Sequence, residues 1–407
     1  MNRRLTPVFL MAASASRYAA QLGVLVIVVR VFGSGAAGEY ALALAVTAPG
    51  FIVLDLGLRD VRLTLHRPIP ASRYLALRAA ASGTVLLVTV VIAVAVAPAT
   101  AGIVAAVSLQ KVVDAFTDLR SGFLQADRRA GLIPALTAGT AACQLAAVGV
   151  STLVHATLVQ TLLASATMSA VVLVALGLVL RSPGTRDNAR PASSRLADWR
   201  TLLRAGLPTG LASGLVTLLT AIPQYVLAAH ASPTDLSVLS VHLYLIVALQ
   251  VVASALAQSW LPRARGLALE GRLTVRDAAH AGLTWARITT PLALGAVVAG
   301  ALLLPLVFTP DYALSLADAA AILLAAIALP LNLAGANALS SLNRYSSSLL
   351  VSALTTLAAL ALALAIVPWA GHTGALWAYV LTIPVRASLS ALILVRVNAA
   401  RVSRAAA

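Results

Sequence analysis

Apolar runs of about twenty residues, separated by short stretches rich in arginine, recur from one end of this sequence to the other. A helix of that length matches a hydrocarbon core about 30 Å thick, at about 1.5 Å of rise per residue. Inside lipid every backbone amide must find its partner within the helix, so such runs read as membrane-spanning helices. Composition agrees, because 60% of the 407 residues are hydrophobic and only 10% are charged, more apolar surface than soluble cores can hold. The fold class expected is an all-α polytopic membrane protein. Twelve spans are predicted, at 8–32, 39–58, 79–97, 101–119, 132–154, 157–180, 206–229, 236–261, 283–308, 319–341, 347–367 and 375–395.

Twenty-nine basic against thirteen acidic side chains give a net charge of +16. In a soluble chain this would direct attention to nucleic acid, but here the bases alternate with the spans. Arg3 and Arg4 precede the first. Arg59, Arg62, Arg67, Arg73 and Arg78 follow the second, Arg120, Arg128 and Arg129 the fourth, and Arg181 to Arg204 the sixth. The loops after spans eight and ten and the chain's end continue the pattern, while the opposite loops carry none except Arg30 at a border. Cytoplasmic loops attract Lys and Arg, so both termini are predicted cytoplasmic and no nucleic-acid partner is expected. Arg3 and Arg4 ahead of Ala13-Ser14-Ala15 resemble a signal peptide, but the apolar run continues to Phe32 and is read as an uncleaved first helix. Cys143 is the only cysteine, which excludes an intramolecular disulfide.

Three parts are expected: a six-helix lobe over 1–180, a cytoplasmic linker over 181–204 and a second six-helix lobe over 205–407. In the linker, Leu196, Trp199, Leu202 and Leu203 recur at helical spacing and predict a short interfacial helix anchored by Trp199. Pro7 and Pro208 open the first spans of the two lobes, and a short turn follows each by a similar interval. Six helices per lobe give both the same orientation. Parallel repeats of this kind place a substrate site between them near the midplane.

No GxxxxGKS/T phosphate loop, GxSxG nucleophile turn or HExxH zinc helix occurs, so enzyme activity and a resident cofactor are not expected. The chemistry rests on polar residues inside spans. Arg17 falls near the middle of the first run, with Gln21 one turn along on the same face. A lipid-facing arginine at mid-helix costs about 2.5–3.5 kcal/mol on insertion scales, so Arg17 is expected to face a protein interior or a water-filled pathway. Lys111, Asp114 and Asp118 share one face of span four. Two readings of Lys111 and Asp114 stand, an internal ion pair that makes the helix insertable and a cavity lining. Asp55 is expected to form a surface pair near Arg59. In the second lobe Gln224, Gln250, Gln258, Asn332 and Asn337 are read either as interhelical glue or as ligands for sugar hydroxyls. His155 and His242 are assigned plain interfacial roles. Arg287 and Arg386 lie within reach of lipid phosphates, and several intrahelical prolines mark candidate kinks.

The second lobe resembles the polysaccharide-export flippases of the multidrug/oligosaccharidyl-lipid/polysaccharide (MOP) superfamily. The resemblance is carried by Leu261-Pro262 before a basic loop and by Val307-Phe308-Thr309-Pro310-Asp311-Tyr312. Leu339-Ser340-Ser341-Leu342-Asn343-Arg344 and the stretch Ile366-Val367-Pro368-Trp369-Ala370-Gly371-His372-Thr373-Gly374-Ala375 follow in the family's order. In the first lobe Val29-Arg30-Val31-Phe32-Gly33 and Gly38-Glu39-Tyr40-Ala41-Leu42 are similar to family motifs, which brings Arg30 among the pathway candidates. The chain departs from the pattern at Pro223-Gln224-Tyr225, where members often carry an acid, and at Ser237-Val238-Leu239-Ser240, where a turn glycine is usual. A coupling ion, H+ or Na+, is therefore left open.

The resemblance implies a two-lobed bundle in the bacterial cytoplasmic membrane that carries an undecaprenyl-diphosphate-linked oligosaccharide to the outer leaflet by alternating access. Polysaccharide polymerase and glycosyltransferases are the implied neighbours. The pathway residues expected are Arg17, Gln21, Arg30, Lys111, Asp114, Gln224, Gln250 and Asn332. An ion-coupled drug or small-molecule antiporter of the same superfamily is the alternative, and would need a buried acid such as Asp114. A major-facilitator-type transporter shares twelve spans and parallel halves, but the stretch Asp55-Leu56-Gly57-Leu58-Arg59-Asp60-Val61-Arg62 lacks that family's loop pattern.

Overall fold

The computed structural model describes residues 6–65, 69–127, 129–179, 195–342 and 344–406. Eleven helices occur among them: α1 (Thr6–Asp55), α2 (Leu58–Thr64), α3 (Ala71–Val96), α4 (Ala101–Ala126), α5 (Ile133–Leu153), α6 (Leu158–Val179), α7 (Arg195–His230), α8 (Pro233–Leu269), α9 (Val275–Val307), α10 (Leu316–Ser341) and α11 (Tyr345–Ala406). Short 3-10 turns lie at Pro98–Thr100, Ala130–Leu132 and Pro310–Tyr312, and no strand occurs among the described residues.

Ten stretches among the described residues are long and apolar enough to cross a membrane, where the sequence reading has twelve spans. The difference arises at two glycines. Gly33 interrupts α1 at φ 90, ψ 166, and Gly371 interrupts α11 at φ 55, ψ −136. Both breaks fall inside the gaps expected between spans one and two and between spans eleven and twelve. A backbone like that of Gly33 is essentially closed to residues with a Cβ, so the sequence fixes the position of that break.

Long exposed apolar faces belong to the same picture. Leu87, Val88, Val91, Ile92 and Val96 of α3 are exposed, as are Leu292, Leu294, Val298, Leu302 and Leu306 of α9. Such continuous apolar surface is foreign to a water-soluble monomer and suits contact with lipid.

The chain divides into two compact units, 1–217 and 218–407, and the division falls within α7. The expected linker boundary precedes it, and most of that linker lies outside the described residues. Its helical end, 195–204, is the start of the 36-residue α7. Leu202 is fully buried in a cluster with Leu56, Leu58, Tyr74, Leu119 and Phe123, and Trp199 packs against the same cluster. Leu202 and Trp199 therefore meet protein within unit 1, where a lipid interface was expected, while Leu196 and Leu203 of the same face are exposed.

In unit 1, α4 packs on α1, α2, α3 and α6, and α5 packs on α1 and α6. In unit 2, α10 is the central helix, packed on α8, α9 and α11. Its face from Ala321 through Ala325 and Ala328 to Ala338 is buried, small side chains letting its neighbours approach closely. Asn337 Nδ2 donates to the Ala257 carbonyl at 2.9 Å, and Thr289 Oγ1 to the Ala326 carbonyl at 2.6 Å. These bonds tie α10 to α8 and α9.

Candidate functional site

Four helices of unit 1 converge on a narrow cavity. Gln21, Tyr40 and Leu44 come from the two sides of the break in α1. Ala106, Val107, Gln110 and Lys111 come from α4, Gln144 from α5, and Leu162 and Ser165 from α6. The free space is about 20 Å³, room for one or two waters, since a water needs roughly 10–15 Å³ by the same measure. Three amides, two hydroxyls and one lysine amine converge on it, and no carboxylate is among its described lining residues.

The helical period explains how α4 contributes. Val107, Gln110 and Lys111 recur at i, i+3 and i+4, and so form one face. Gln110 donates from Nε2 to Asp114 Oδ1 at 3.2 Å, while its Oε1 is buried without a hydrogen-bond partner. Asp114 is thus held by a neutral neighbour one turn back. No N···O contact within 4.0 Å joins it to Lys111 among the described residues, although its carboxylate acts electrostatically on that lysine.

Lys111 feels both the Asp114 carboxylate and the Arg17 guanidinium. Arg17 itself is exposed in unit 1, and its guanidinium carbon lies 5.7 Å from the centroid of the Tyr18 ring. Of the two surroundings expected for it, a protein interior or a water-filled pathway, its exposure fits the second and not the first. A guanidinium spread over an aromatic face keeps a favourable partner there. Two basic side chains, Arg17 and Lys111, against the one Asp114 carboxylate give the region beside the amides a basic excess.

The rest of the expected face of α4 turns elsewhere. Asp118 pairs with Arg59 at 3.0 Å, and Arg59 also donates to Gln125 Oε1 at 3.0 Å. Asp55, expected beside Arg59, instead pairs with Arg78 of α3, whose side chain has no exposed surface. Arg120 Nη2 donates to the Gly177 carbonyl at 2.7 Å.

Of the sequence candidates, Gln21 and Lys111 line the cavity; Arg17 and Asp114 lie beside it; Arg30 is exposed elsewhere on α1. Gln224, Gln250 and Asn332 belong to unit 2. Gln224 Nε2 donates to its own helix at Thr220, Gln250 is half-buried, and buried Asn332 has an Oδ1 without a hydrogen-bond partner. The sequence reading missed Gln110, Gln144, Ser165 and Tyr40. Gln144 was findable as a lone amide in an apolar span, whereas serine and tyrosine are too common in spans to stand out. It also misplaced His242, which is wholly buried with Nε2 3.3 Å from the Tyr312 carbonyl oxygen.

No family model matches the sequence, and no curated protein matches it. Solved structures do share its fold. A point mutant of the Vibrio cholerae MATE transporter VcmN superposes with a TM-score of 0.69 over 96% of this chain and 95% of that one, at 12% identity. An inward-facing multidrug resistance MATE family transporter of the MOP superfamily gives 0.68 over 98% and 96%, at 14% identity. The lipid II flippase MurJ, in an inward closed conformation, gives 0.66 over 94% of this chain and 86% of that one, at 11% identity. The chain thus has the fold of MOP superfamily transporters.

Proposed function

We propose that this chain, built on the fold of MOP superfamily transporters, is a flippase for a lipid-linked oligosaccharide. In this reading it sits in the bacterial cytoplasmic membrane with both termini inside. It carries the saccharide on an undecaprenyl diphosphate from the inner to the outer leaflet by alternating access, supplied by glycosyltransferases and followed by a polymerase.

The observation that carries the reading is the charge of the cavity in unit 1. Lys111 is the one basic group among the described lining residues, the other polar lining groups are neutral, and the two basic side chains Lys111 and Arg17 outnumber the single Asp114 carboxylate beside them. A hydrated sugar diphosphate cannot cross hydrocarbon unaided, whereas its tail can stay in lipid. Cationic groups favour the diphosphate, and arginine can meet phosphate with two parallel hydrogen bonds. At about 20 Å³ the cavity holds no sugar, so its part is to supply charge beside the path. The protein forms no covalent intermediate and needs no cofactor for this task.

The MATE neighbours and the half-buried Asp114 favour a second reading, an ion-coupled antiporter of small molecules. A cationic drug, however, would meet Lys111 and Arg17 unfavourably. The two readings part in a strain lacking the chromosomal copy. The flippase reading expects surface polysaccharide to return with the native chain and to stay absent with Arg17→Ala at equal abundance. Restored drug resistance without polysaccharide would select the antiporter.

A further inference from the structure

His242, Asp318 and His372 come together at the end of unit 2 where α8 and α10 begin and α11 breaks. One donor atom from each lies within 4.8 Å of the others. They arrive from three helices: Asp318 near the start of α10, His242 about 14 Å along α8 at 1.5 Å per residue, and His372 next to the break at Gly371.

The hydrogen bonds fix what each group offers. Asp318 Oδ2 accepts from Ser315 N at 3.2 Å and from Ser315 Oγ at 2.7 Å, and its Oδ1 accepts from Thr373 Oγ1 at 2.9 Å. The carboxylate is wholly buried, and every one of these groups treats it as an acceptor. His242 is also wholly buried, with Nε2 facing the Tyr312 carbonyl at 3.3 Å. A carbonyl only accepts, so Nε2 carries the hydrogen and the neutral ring leaves a lone pair on Nδ1. Nδ1 has no hydrogen-bond partner and lies 3.8 Å from Asp318 Oδ2. His372 turns Nε2 to that same oxygen at 4.0 Å and Nδ1 to Asp235 Oδ1 at 3.5 Å.

Lone pairs facing one another in a dry site call for positive charge between them. A proton or a metal ion would supply it, and the surroundings favour the metal. Metal-binding histidines characteristically hand their second ring nitrogen to a carbonyl or a carboxylate, which fixes the tautomer and ring orientation. Both rings have such a partner here, the Tyr312 carbonyl for His242 and the Asp235 carboxylate for His372. Two imidazoles and one carboxylate make a donor set suited to zinc, with a fourth position for water. Zinc bonds of about 2.0–2.2 Å set tetrahedral donors about 3.3 Å apart. The two histidine–Asp318 spacings of 3.8 and 4.0 Å therefore need to close by about 0.5–0.7 Å, and the spacing between the two imidazole nitrogens, within 4.8 Å, by up to about 1.5 Å.

We infer that His242, Asp318 and His372 bind a divalent transition metal of the zinc type, with Asp235 and the Tyr312 carbonyl orienting the two rings. The ion would clasp α8, α10 and α11 at that end of unit 2. This proposal stands independently of what the chain transports.

The test uses the untagged full-length protein in detergent, stripped with a chelator and titrated with Zn2+, and separately with Co2+ as a spectroscopic stand-in. The expected result is one saturable equivalent per chain, visible Co2+ absorption of tetrahedral N/O character, and an unfolding temperature raised by Zn2+. His372→Ala removes a half-exposed ligand and leaves the His242–Tyr312 contact in place, so it should fold yet bind at least tenfold more weakly. Asp235→Asn should weaken binding about 10–100-fold through ring orientation alone. Exposed His280→Ala should change nothing. Absence of saturable binding to the native chain, or equal binding by native, His372→Ala and Asp318→Asn proteins, would overturn the proposal.

Discussion

Arg78, a side chain with no exposed surface, donates through Nη1 to Asp55 Oδ1 and so ties α3 to the end of α1. Its Nε and Nη2 are buried without hydrogen-bond partners, which makes the carboxylate the group that offsets the buried charge. Removing one member of a buried pair typically costs about 3–5 kcal/mol, whereas replacing both by apolar groups can be nearly neutral. Asp55→Ala should therefore lower the unfolding temperature of the detergent-solubilised protein sharply, and Asp55→Ala with Arg78→Leu should recover most of the loss. A double mutant as unstable as the single one would show that the pair is not what holds this corner.

Gly210 of α7 sits against α1 so closely that a Cβ there would lie 2.2 Å from the Val53 carbonyl oxygen. Backbone cannot yield as a flexible side chain does, and overpacking of this kind costs about 1–3 kcal/mol or more. Gly210→Ala should reduce the monodisperse fraction in size-exclusion chromatography. Gly266→Ala in α8, where nothing lies within 4 Å of the added carbon, should be neutral or slightly stabilising, by up to about 1 kcal/mol. Equal behaviour of the two variants would contradict the close contact of α7 with α1.

The class of fold was legible because apolar run length is imposed by bilayer thickness, and the breaks at Gly33 and Gly371 fell where turns were expected. The partners of charged residues were not legible. Helical spacing correctly placed Lys111, Asp114 and Asp118 on successive turns of α4, yet each meets a different neighbour, because a face about 10 Å long at 1.5 Å per residue passes more than one packed helix. Asp55 was assigned to Arg59 by nearness in sequence, while α3 brings Arg78 to it from 23 residues away. His242 was read as interfacial because it lies in the first third of its span. Its burial depends on the Pro310–Tyr312 turn folding back over α8, a contact that no local pattern announces.

The bonds from Thr289 to the Ala326 carbonyl and from Asn337 to the Ala257 carbonyl are the interhelical glue of unit 2. Such bonds in membrane proteins average about 0.6 kcal/mol, up to about 1.7. Thr289→Val and Asn337→Leu should each shift the denaturant midpoint modestly and leave transport intact. A loss of transport with unchanged stability in Asn337→Leu would move that amide from packing to substrate contact.

The central claim is tested most directly in vesicles containing the purified chain and an undecaprenyl-diphosphate-linked saccharide, with leaflet exchange followed by accessibility of the sugar to an added enzyme. Native protein should flip the lipid, and Lys111→Gln, of similar length but uncharged, should flip it at least tenfold more slowly, a change of about 1.4 kcal/mol, while remaining folded. Flipping by Lys111→Gln at the native rate, or none by the native chain, would contradict the account.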